Sequence, residues 1–157
     1  MRIERYEGDR NALLGLFALA DDSPGQVAAY ISLGEVLVAR DGELFVGHAQ
    51  IVESGDAPAL PGEFELKSLA VIEDRQGEGI GTRLVAVVVA RCRERGGRRL
   101  IVSTAAASTD SLRFYQRRGF RMFRVVQDAF GPSTGYPPGL LIDGIPLRDQ
   151  VLLEMTL

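Results

Sequence analysis

The sequence predicts an α/β domain built on a mixed β-sheet, and three observations support this prediction. Strand-like and helix-like runs alternate along most of the 157 residues. An Asp41-Gly42 step joins two strand-like runs, which favours an antiparallel hairpin with a type I′ turn. A glycine-rich turn then leads from a strand-like run directly into a long helical run. One domain over residues 1–157 is expected, because 46% of the residues are hydrophobic and can form a substantial core.

Local signals define the elements of the amino-terminal half. Asp9 is a predicted N-cap for a helix over residues 10–20, whose apolar positions form one stripe. Ser23-Pro24 supplies a cap and then a proline at the first helical position, which predicts a second helix over residues 24–33. The predicted strands of this half are residues 2–6, 35–40, 43–53 and 63–71, and the proline- and glycine-rich residues 54–62 form a loop.

The carboxyl-terminal half continues the alternation. A helix over residues 79–96 ends at a glycine pair, and a strand over residues 99–104 has a continuous apolar core that predicts burial on both faces. Residues 131–146 contain four prolines and four glycines and are expected to be an irregular connection. The remaining predicted elements are a helix over residues 108–118 and strands over residues 120–127 and 150–157.

Composition argues against several classes of protein. No apolar run approaches the roughly 20 residues that span a bilayer, and the charged start has no signal-peptide core. We therefore expect a cytoplasmic protein with no membrane partner. The single cysteine, Cys92, and the single histidine, His48, leave no internal disulfide and no cysteine-cluster or paired-histidine metal site, so no metal is expected. Inside its helix, Cys92 is expected to be a buried small hydrophobe.

Charge is distributed in blocks along the chain, although the net charge is only −3. Residues 1–74 carry five basic and fourteen acidic side chains, whereas residues 75–124 carry twelve arginines and three acids. The basic block can face an anionic ligand, or its arginines can simply form a solvated helix face. Nucleic acid is not expected as a partner, because the basic block lacks interleaved exposed aromatic residues.

The turn between the fourth predicted strand and the long helix carries the clearest chemical signal. Gly77, Gly79 and Gly81 remove Cβ atoms where a ligand could approach the main chain, and the helix amides that follow favour a phosphate. The spacing fits neither a Walker A loop nor a dinucleotide-binding fingerprint. A purely structural tight turn is the alternative. The turn reads Gln76-x-x-Gly-x-Gly and is preceded by Arg75.

A second motif lies after the next predicted strand, where a helix ends in Phe114-Tyr115-x-x-x-Gly119-Phe120. In this order and at this separation, the two motifs resemble those of the GCN5-related N-acetyltransferases, the GNAT superfamily. The resemblance implies a mixed, mostly antiparallel sheet of six to seven strands. It also implies splayed central parallel strands and about four flanking helices.

The resemblance implies acetyl-CoA as cosubstrate. The pantetheine arm would lie between the strands of residues 65–71 and 99–104, and the amides from Gln76 to Gly81 would hold the pyrophosphate, with Arg75 or Arg83 adding charge. Ser108 stands where many members have an asparagine that contacts the pantetheine or the sulfur. A serine can also donate a hydrogen bond there, but its side chain is shorter. The implied cofactor-binding residues are Leu69, Ala70, Val71, Arg75, Gln76, Gly77, Glu78, Gly79, Ile80, Gly81, Thr82, Ser108 and Tyr115.

The implied reaction is direct attack of a neutral primary amine on the thioester. Tyr115 matches the tyrosine that donates to the coenzyme A sulfur, and its alternative is a tyrosine packed at a helix end. Glu65 matches the base of the histone-acetylating branch. Strand alternation places Glu63, Glu65 and Lys67 on one face. If this face lines the cleft, Glu65 takes the proton directly or through water; if it faces solvent, an ordered water is the base.

The resemblance places the acceptor between the first two helices and the loop of residues 129–146. An acid-rich amino-terminal part favours a cationic amine on a small molecule or peptide, although surface acids for solubility explain the same composition. His48 is either a structural or surface histidine or an acceptor-side group.

The expected function is therefore an acetyl-CoA-dependent N-acetyltransferase. The alternative is a catalytically weak acyl-CoA-binding regulatory module, and a nucleotide-binding domain of another kind is a third hypothesis. A homodimer is compatible with the resemblance, since the closing strands of this fold often pair between subunits.

Overall fold

The computed structural model describes residues 1–53 and 61–157, so most of the predicted loop over residues 54–62 lies outside the described residues. Helices and strands alternate as the sequence predicts. The α-helices of this part of the chain are α1 (Leu14–Ala20), α2 (Pro24–Tyr30), α3 (Ile80–Glu94) and α4 (Thr109–Arg117). The strands are β1 (Arg2–Tyr6), β2 (Glu35–Asp41), β3 (Leu44–Glu53), β4 (Glu63–Val71), β5 (Arg99–Ala105), β6 (Arg121–Val126), β7 (Leu141–Ile142), β8 (Ile145–Pro146) and β9 (Gln150–Thr156).

Seven of the described strands form one mixed sheet in the order β1-β2-β3-β4-β5-β9-β6. Only β4 and β5 pair in parallel within it, and the other neighbours are antiparallel. The mostly antiparallel seven-stranded sheet with four helices confirms the predicted architecture.

The two parallel strands separate toward their carboxyl ends. Their ladder joins Glu63 to Arg99 and continues only as far as Leu66 and Val102. Beyond that point β4 stays paired with β3, and β5 stays paired with β9. A gap therefore opens in the middle of the sheet, as expected for splayed central strands.

Each face of the sheet carries its own hydrophobic layer. Leu84, Val88 and Cys92 of α3 pack on one face, and Phe17 and Tyr30 of the first two helices pack on the other. Alternate residues of β2 belong to the two layers, as period-two side-chain geometry requires. Burial raises the pKa of the Cys92 thiol to about 11, in agreement with its predicted place in the core.

Several local predictions differ from the structure. The helix expected over residues 10–20 begins as a 3₁₀ turn, Arg10–Leu13, and the Asp9 carboxylate caps this turn by accepting from the Asn11 amide at 2.9 Å. The first hairpin turns at residues 42–43 rather than 41–42, and only Gly42 has positive φ there, which excludes a type I′ turn. Burial alternates along β5, so this strand is not buried on both faces.

The predicted irregular connection of residues 131–146 contains regular structure. Pro132–Thr134 forms a 3₁₀ turn, and β7 pairs with β8 in a small hairpin. Asp143 and Gly144 between them both have positive φ, the conformation of a type I′ turn. Among the described residues, no helix has the length and apolar character needed to cross a bilayer.

Candidate active site

Two cavities flank the gap between β4 and β5. The first, about 570 Å³, is lined by the end of β4, the glycine-rich turn and one face of α4. The second, about 450 Å³, lies between the first two helices, the middle of β4, the end of β5 and the segment of residues 129–147. Leu19, Leu69, Ser111 and Tyr115 line both cavities. A molecule in one cavity can therefore meet a molecule in the other beside Tyr115.

The glycine-rich turn presents main-chain amides to the first cavity. Gly77 and Gly79 both have φ of +81°, a conformation that glycine adopts without strain. A Cβ atom built on either would meet no heavy atom within 4 Å, so the turn is open. The first intrahelical bond of α3 runs from the Arg83 amide to the Gly79 carbonyl. The preceding amides of the helix are thus available to an anion.

Side chains on either side of the turn are held in place by the protein itself. Arg75 donates to Asp41 and to Glu78, each at 2.8 Å. The Gln76 amide donates to the Val71 carbonyl at 3.1 Å. Arg75 and Gln76 line the first cavity, whereas Glu78 and Arg83 do not. Glu78 orients Arg75.

The last residues of β4 direct main-chain groups toward the gap. The Ile72 amide donates to the Val46 carbonyl of β3. Because successive residues of a strand point their main-chain groups to opposite sides, those of Val71 and Leu69 point away from β3. They face the side on which β5 has separated, and both residues line the first cavity.

Tyr115 is a buried tyrosine with a protonated hydroxyl. Its ring packs edge-to-face against Phe114 and Phe120, with centroids 5.3 and 5.6 Å away. Within residues 1–53 and 61–157, the hydroxyl has no hydrogen-bond partner. Burial raises the pKa of Tyr115 above its ordinary value, so the phenol stays protonated and can donate.

Asp110, Ser111 and Phe114 of α4 also line the first cavity, and the sequence reasoning missed them. Ser111 is four residues before Tyr115 and Asp110 is four residues before Phe114, so helical spacing from the Phe114-Tyr115 motif could have identified Asp110 and Ser111.

Glu65 and Ser108 lie apart from the first cavity. Ser108 lines the second cavity, and Glu65 lines neither of the two. The Glu65 carboxylate lies 3.9 Å from the Lys67 ammonium, and its side chain is 21% exposed. The residues that the sequence predicts to bind cofactor and that do line the first cavity are Leu69, Ala70, Val71, Arg75, Gln76, Gly77, Gly79, Ile80, Gly81, Thr82 and Tyr115.

Asp21 joins two walls of the second cavity. Its carboxylate accepts from the Tyr30 hydroxyl at 2.8 Å, the Tyr136 hydroxyl at 2.7 Å and the Ser23 amide at 3.0 Å. Burial and this carboxylate raise the pKa of both tyrosines. No local pattern singled out Asp21, because its partner Tyr136 is 115 residues away.

Residues 16–120 match the acetyltransferase (GNAT) family. The chain is 29% identical over 157 residues to the uncharacterized N-acetyltransferase YvbK of Bacillus subtilis strain 168, a match that covers 100% of this chain and 97% of the relative. It is similar to the structure of an IAA acetyltransferase from Bacillus cereus ATCC 14579, with a TM-score of 0.87, 34% identity and 99% of each chain covered.

A GNAT family acetyltransferase from Elizabethkingia anophelis, solved with acetyl-CoA bound, is also similar. Its TM-score is 0.87 and its identity 28%, with 99% of this chain and 97% of that chain covered. These matches confirm the resemblance carried by the two sequence motifs. Because the family match spans more than half of the chain and includes the glycine-rich turn and Tyr115, the chain belongs to the acetyltransferase (GNAT) family.

Proposed function

We propose that residues 1–157 act as one acetyl-CoA-dependent N-acetyltransferase domain, which transfers an acetyl group to the primary amine of a small molecule or peptide. The observation that carries this proposal is the position of Tyr115, a protonated phenol at the junction of two cavities. The Elizabethkingia relative with bound acetyl-CoA supports the choice of cosubstrate.

The first cavity suits acetyl-CoA chemically. The pyrophosphate of acetyl-CoA needs several hydrogen-bond donors, and the open amides after Gly77 and Gly79 together with Arg75 supply them. Its pantetheine arm carries amide groups, which the main chain of Leu69 and Val71 can pair with as an added strand does. Thr82 and Ile80 complete this wall.

The chain's own groups then perform the proton transfers of direct attack. The neutral amine bonds to the thioester carbonyl carbon, the C–S bond breaks, and the sulfur receives a proton from the Tyr115 hydroxyl, which then regains a proton from water in the cavity. The proton lost by the amine passes to Glu65 or to water. Glu65 lies on the same face of β4 as Lys67, which lines the second cavity, so a water can connect it to the amine.

Thiol release from acetyl-CoA, measured with a panel of primary amines and followed by mass spectrometry of the product, tests the proposal. We expect release that depends on the amine, with a mass increase of one acetyl group on it. Tight binding of acetyl-CoA without release for any amine would contradict the proposal and favour a regulatory acyl-CoA-binding module.

Homodimerisation stays a prediction. The edge strand β6 exposes Met122, Phe123 and Val125, and it is the first place to examine if light scattering gives a dimer mass.

A further inference from the structure

A β-bulge in β4 gives two neighbouring residues to the second cavity. Gln50 of β3 pairs with Ser68, and Ile51 pairs with Leu66, so Lys67 is the extra residue. The Lys67 ammonium lies 4.9 Å from the centre of the Tyr30 ring, and the Ser68 hydroxyl lies 2.8 Å from His48. Both side chains consequently line the same cavity instead of opposite faces of the sheet.

His48 fixes the direction of the Ser68 hydroxyl. The imidazole is fully buried and packs against Phe17, with ring centroids 4.3 Å apart and ring planes tilted by 38°. Burial lowers the pKa of His48 to about 3, so the ring is neutral. Nε2 contacts Ser68, whereas Nδ1 is buried without a partner among the described residues.

The tautomer follows from the unpaired nitrogen. A buried N–H without an acceptor costs more than a buried lone pair without a donor. The proton is therefore on Nε2, which donates to the Ser68 oxygen. The O–H of Ser68 is then left to donate into the second cavity.

Lys67 supplies further donors at the same place. Its ammonium is 3.9 Å from the Glu65 carboxylate, which is beyond hydrogen-bond distance. Asp21 and Asp22 are the acids in the described lining of this cavity, and Asp21 already accepts three hydrogen bonds from the protein. The cavity also offers adjacent donors at Lys67 and Ser68, which match an oxygen anion.

We propose that Lys67 and Ser68 bind the carboxylate of an amino-acid acceptor, whose amine then reaches the thioester beside Tyr115, and that His48 is a positioning residue for Ser68. This inference rests on the proposed function and names the substrate class of the same site. In an amino acid the amine lies close to the carboxylate. Leu69, the residue after Ser68, lines both cavities, so the proposed carboxylate site is correspondingly close to their junction.

Matched sets of acceptors test the inference. Each set contains an amino acid, its primary carboxamide and the alkylamine that lacks the carboxyl group. Because the amines differ in pKa, each rate is divided by the fraction of acceptor that is in the neutral amine form. We expect the amino acid to have a kcat/KM at least tenfold above the other two. Lys67→Met should remove this preference, whereas Arg93→Met, which removes an exposed charge outside both cavities, should keep it.

The serine and histidine are separated by a second comparison. Ser68→Ala should raise the acceptor KM about fivefold or more, with a smaller effect on kcat. Ser68→Thr keeps the hydroxyl and should bring the acceptor KM back most of the way to the wild-type value. Ser32→Ala, at an exposed serine, should leave both constants unchanged. His48→Phe should reproduce the effect of Ser68→Ala, with no further loss in the double variant. If His48→Phe does not fold, the serine and lysine variants decide the question.

The outcomes distinguish the two levels of the proposal. Equal use of alkylamines and amino acids, unchanged by Lys67→Met, would overturn the carboxylate site and leave the acetyltransferase function intact. Absence of thiol release with every amine, despite acetyl-CoA binding, would overturn the proposed function and this inference with it.

Discussion

At the scale of single residues, Tyr115 combines two properties that a purely structural tyrosine does not need. The described residues provide no hydrogen-bond partner for this hydroxyl, although its side chain lines both cavities. The ring is fixed by two aromatic neighbours, so the unpaired hydroxyl has a defined direction. These properties suit a proton donor that meets its acceptor only when substrate is bound.

Tyr115→Phe should lower kcat about 100-fold, since a positioned general acid contributes on that order. The phenylalanine keeps the ring packing, so acetyl-CoA affinity should stay within about twofold. Steady-state kinetics and calorimetry measure the two quantities. Tyr6→Phe, which removes an exposed hydroxyl bonded to the Asp9 carbonyl, is the matched control. An unaltered kcat would exclude Tyr115 from the mechanism.

At the scale of elements, the turn before α3 depends on backbone conformation. Gly79 is the N-cap of α3 in the left-handed region, with no side-chain capping bond. Open space around it means that an added methyl group meets no steric obstacle. The cost of a substitution there is backbone strain alone.

Gly79→Ala should destabilise the fold by about 1–2 kcal/mol and should weaken acetyl-CoA binding, because the amides after residue 79 would shift. Gly15→Ala is the control, since Gly15 lies in α1 at ordinary φ with no heavy atom within 4 Å of an added Cβ. This control should be neutral or slightly stabilising. Thermal unfolding and calorimetry test both variants, and equal behaviour of the two would contradict the role of the turn.

A charged pair links β2 to α3. Arg91 donates to both carboxylate oxygens of Glu35 at 2.8 and 3.1 Å, and these bonds lower the pKa of Glu35. A lowered carboxyl pKa contributes stability that is complete above the unfolded-state value and is lost as the pH falls through the folded-state value. Because Arg91 is about a third exposed, solvent screens the pair and keeps its contribution small.

Glu35→Gln should therefore lower the free energy of unfolding at pH 7 and flatten its decline below about pH 5. Urea unfolding at several pH values measures this dependence. The same slope in variant and wild type would show that the pair does not contribute to acid sensitivity.

Element prediction from sequence succeeds where the signal is local. Caps at Asp9 and Ser23 and the glycines of the turn act on their own neighbours, and the predicted helices follow from them. Asp143-Gly144 carried the same local hairpin signal but lay among prolines, so β7 and β8 were missed. The bulge at Lys67 has no local signature, because it is set by pairing with β3.

At the scale of the whole molecule, four of the twelve arginines in the basic block form ion pairs with acids of the other two blocks in the described part of the chain. Arg75, Arg91 and Arg95 of the basic block pair with acids of the amino-terminal block. Arg99 pairs with Glu63 and with Glu154 of the last strand. The sequence suggested that the basic block either faces an anionic ligand or forms a solvated helix face. It could not show the third arrangement, ion pairs with acids that are distant in the chain.

Asp21 and Tyr136 connect the amino-terminal helices to the segment after β6. Tyr136→Phe should raise the acceptor KM threefold or more and lower stability by about 1–2 kcal/mol, because it removes a hydrogen bond to a carboxylate. Acetyl-CoA affinity is the internal control and should not change. An unchanged acceptor KM would show that this wall does not contact the acceptor.

The central claim is that the gap between β4 and β5 receives acetyl-CoA with its thioester beside Tyr115. A crystal structure of the chain with acetyl-CoA tests it most directly. We expect the pyrophosphate against the amides that follow Gly77 and the sulfur within hydrogen-bond reach of the Tyr115 hydroxyl. A cofactor bound away from this gap, or one whose sulfur lies far from Tyr115, would contradict the account.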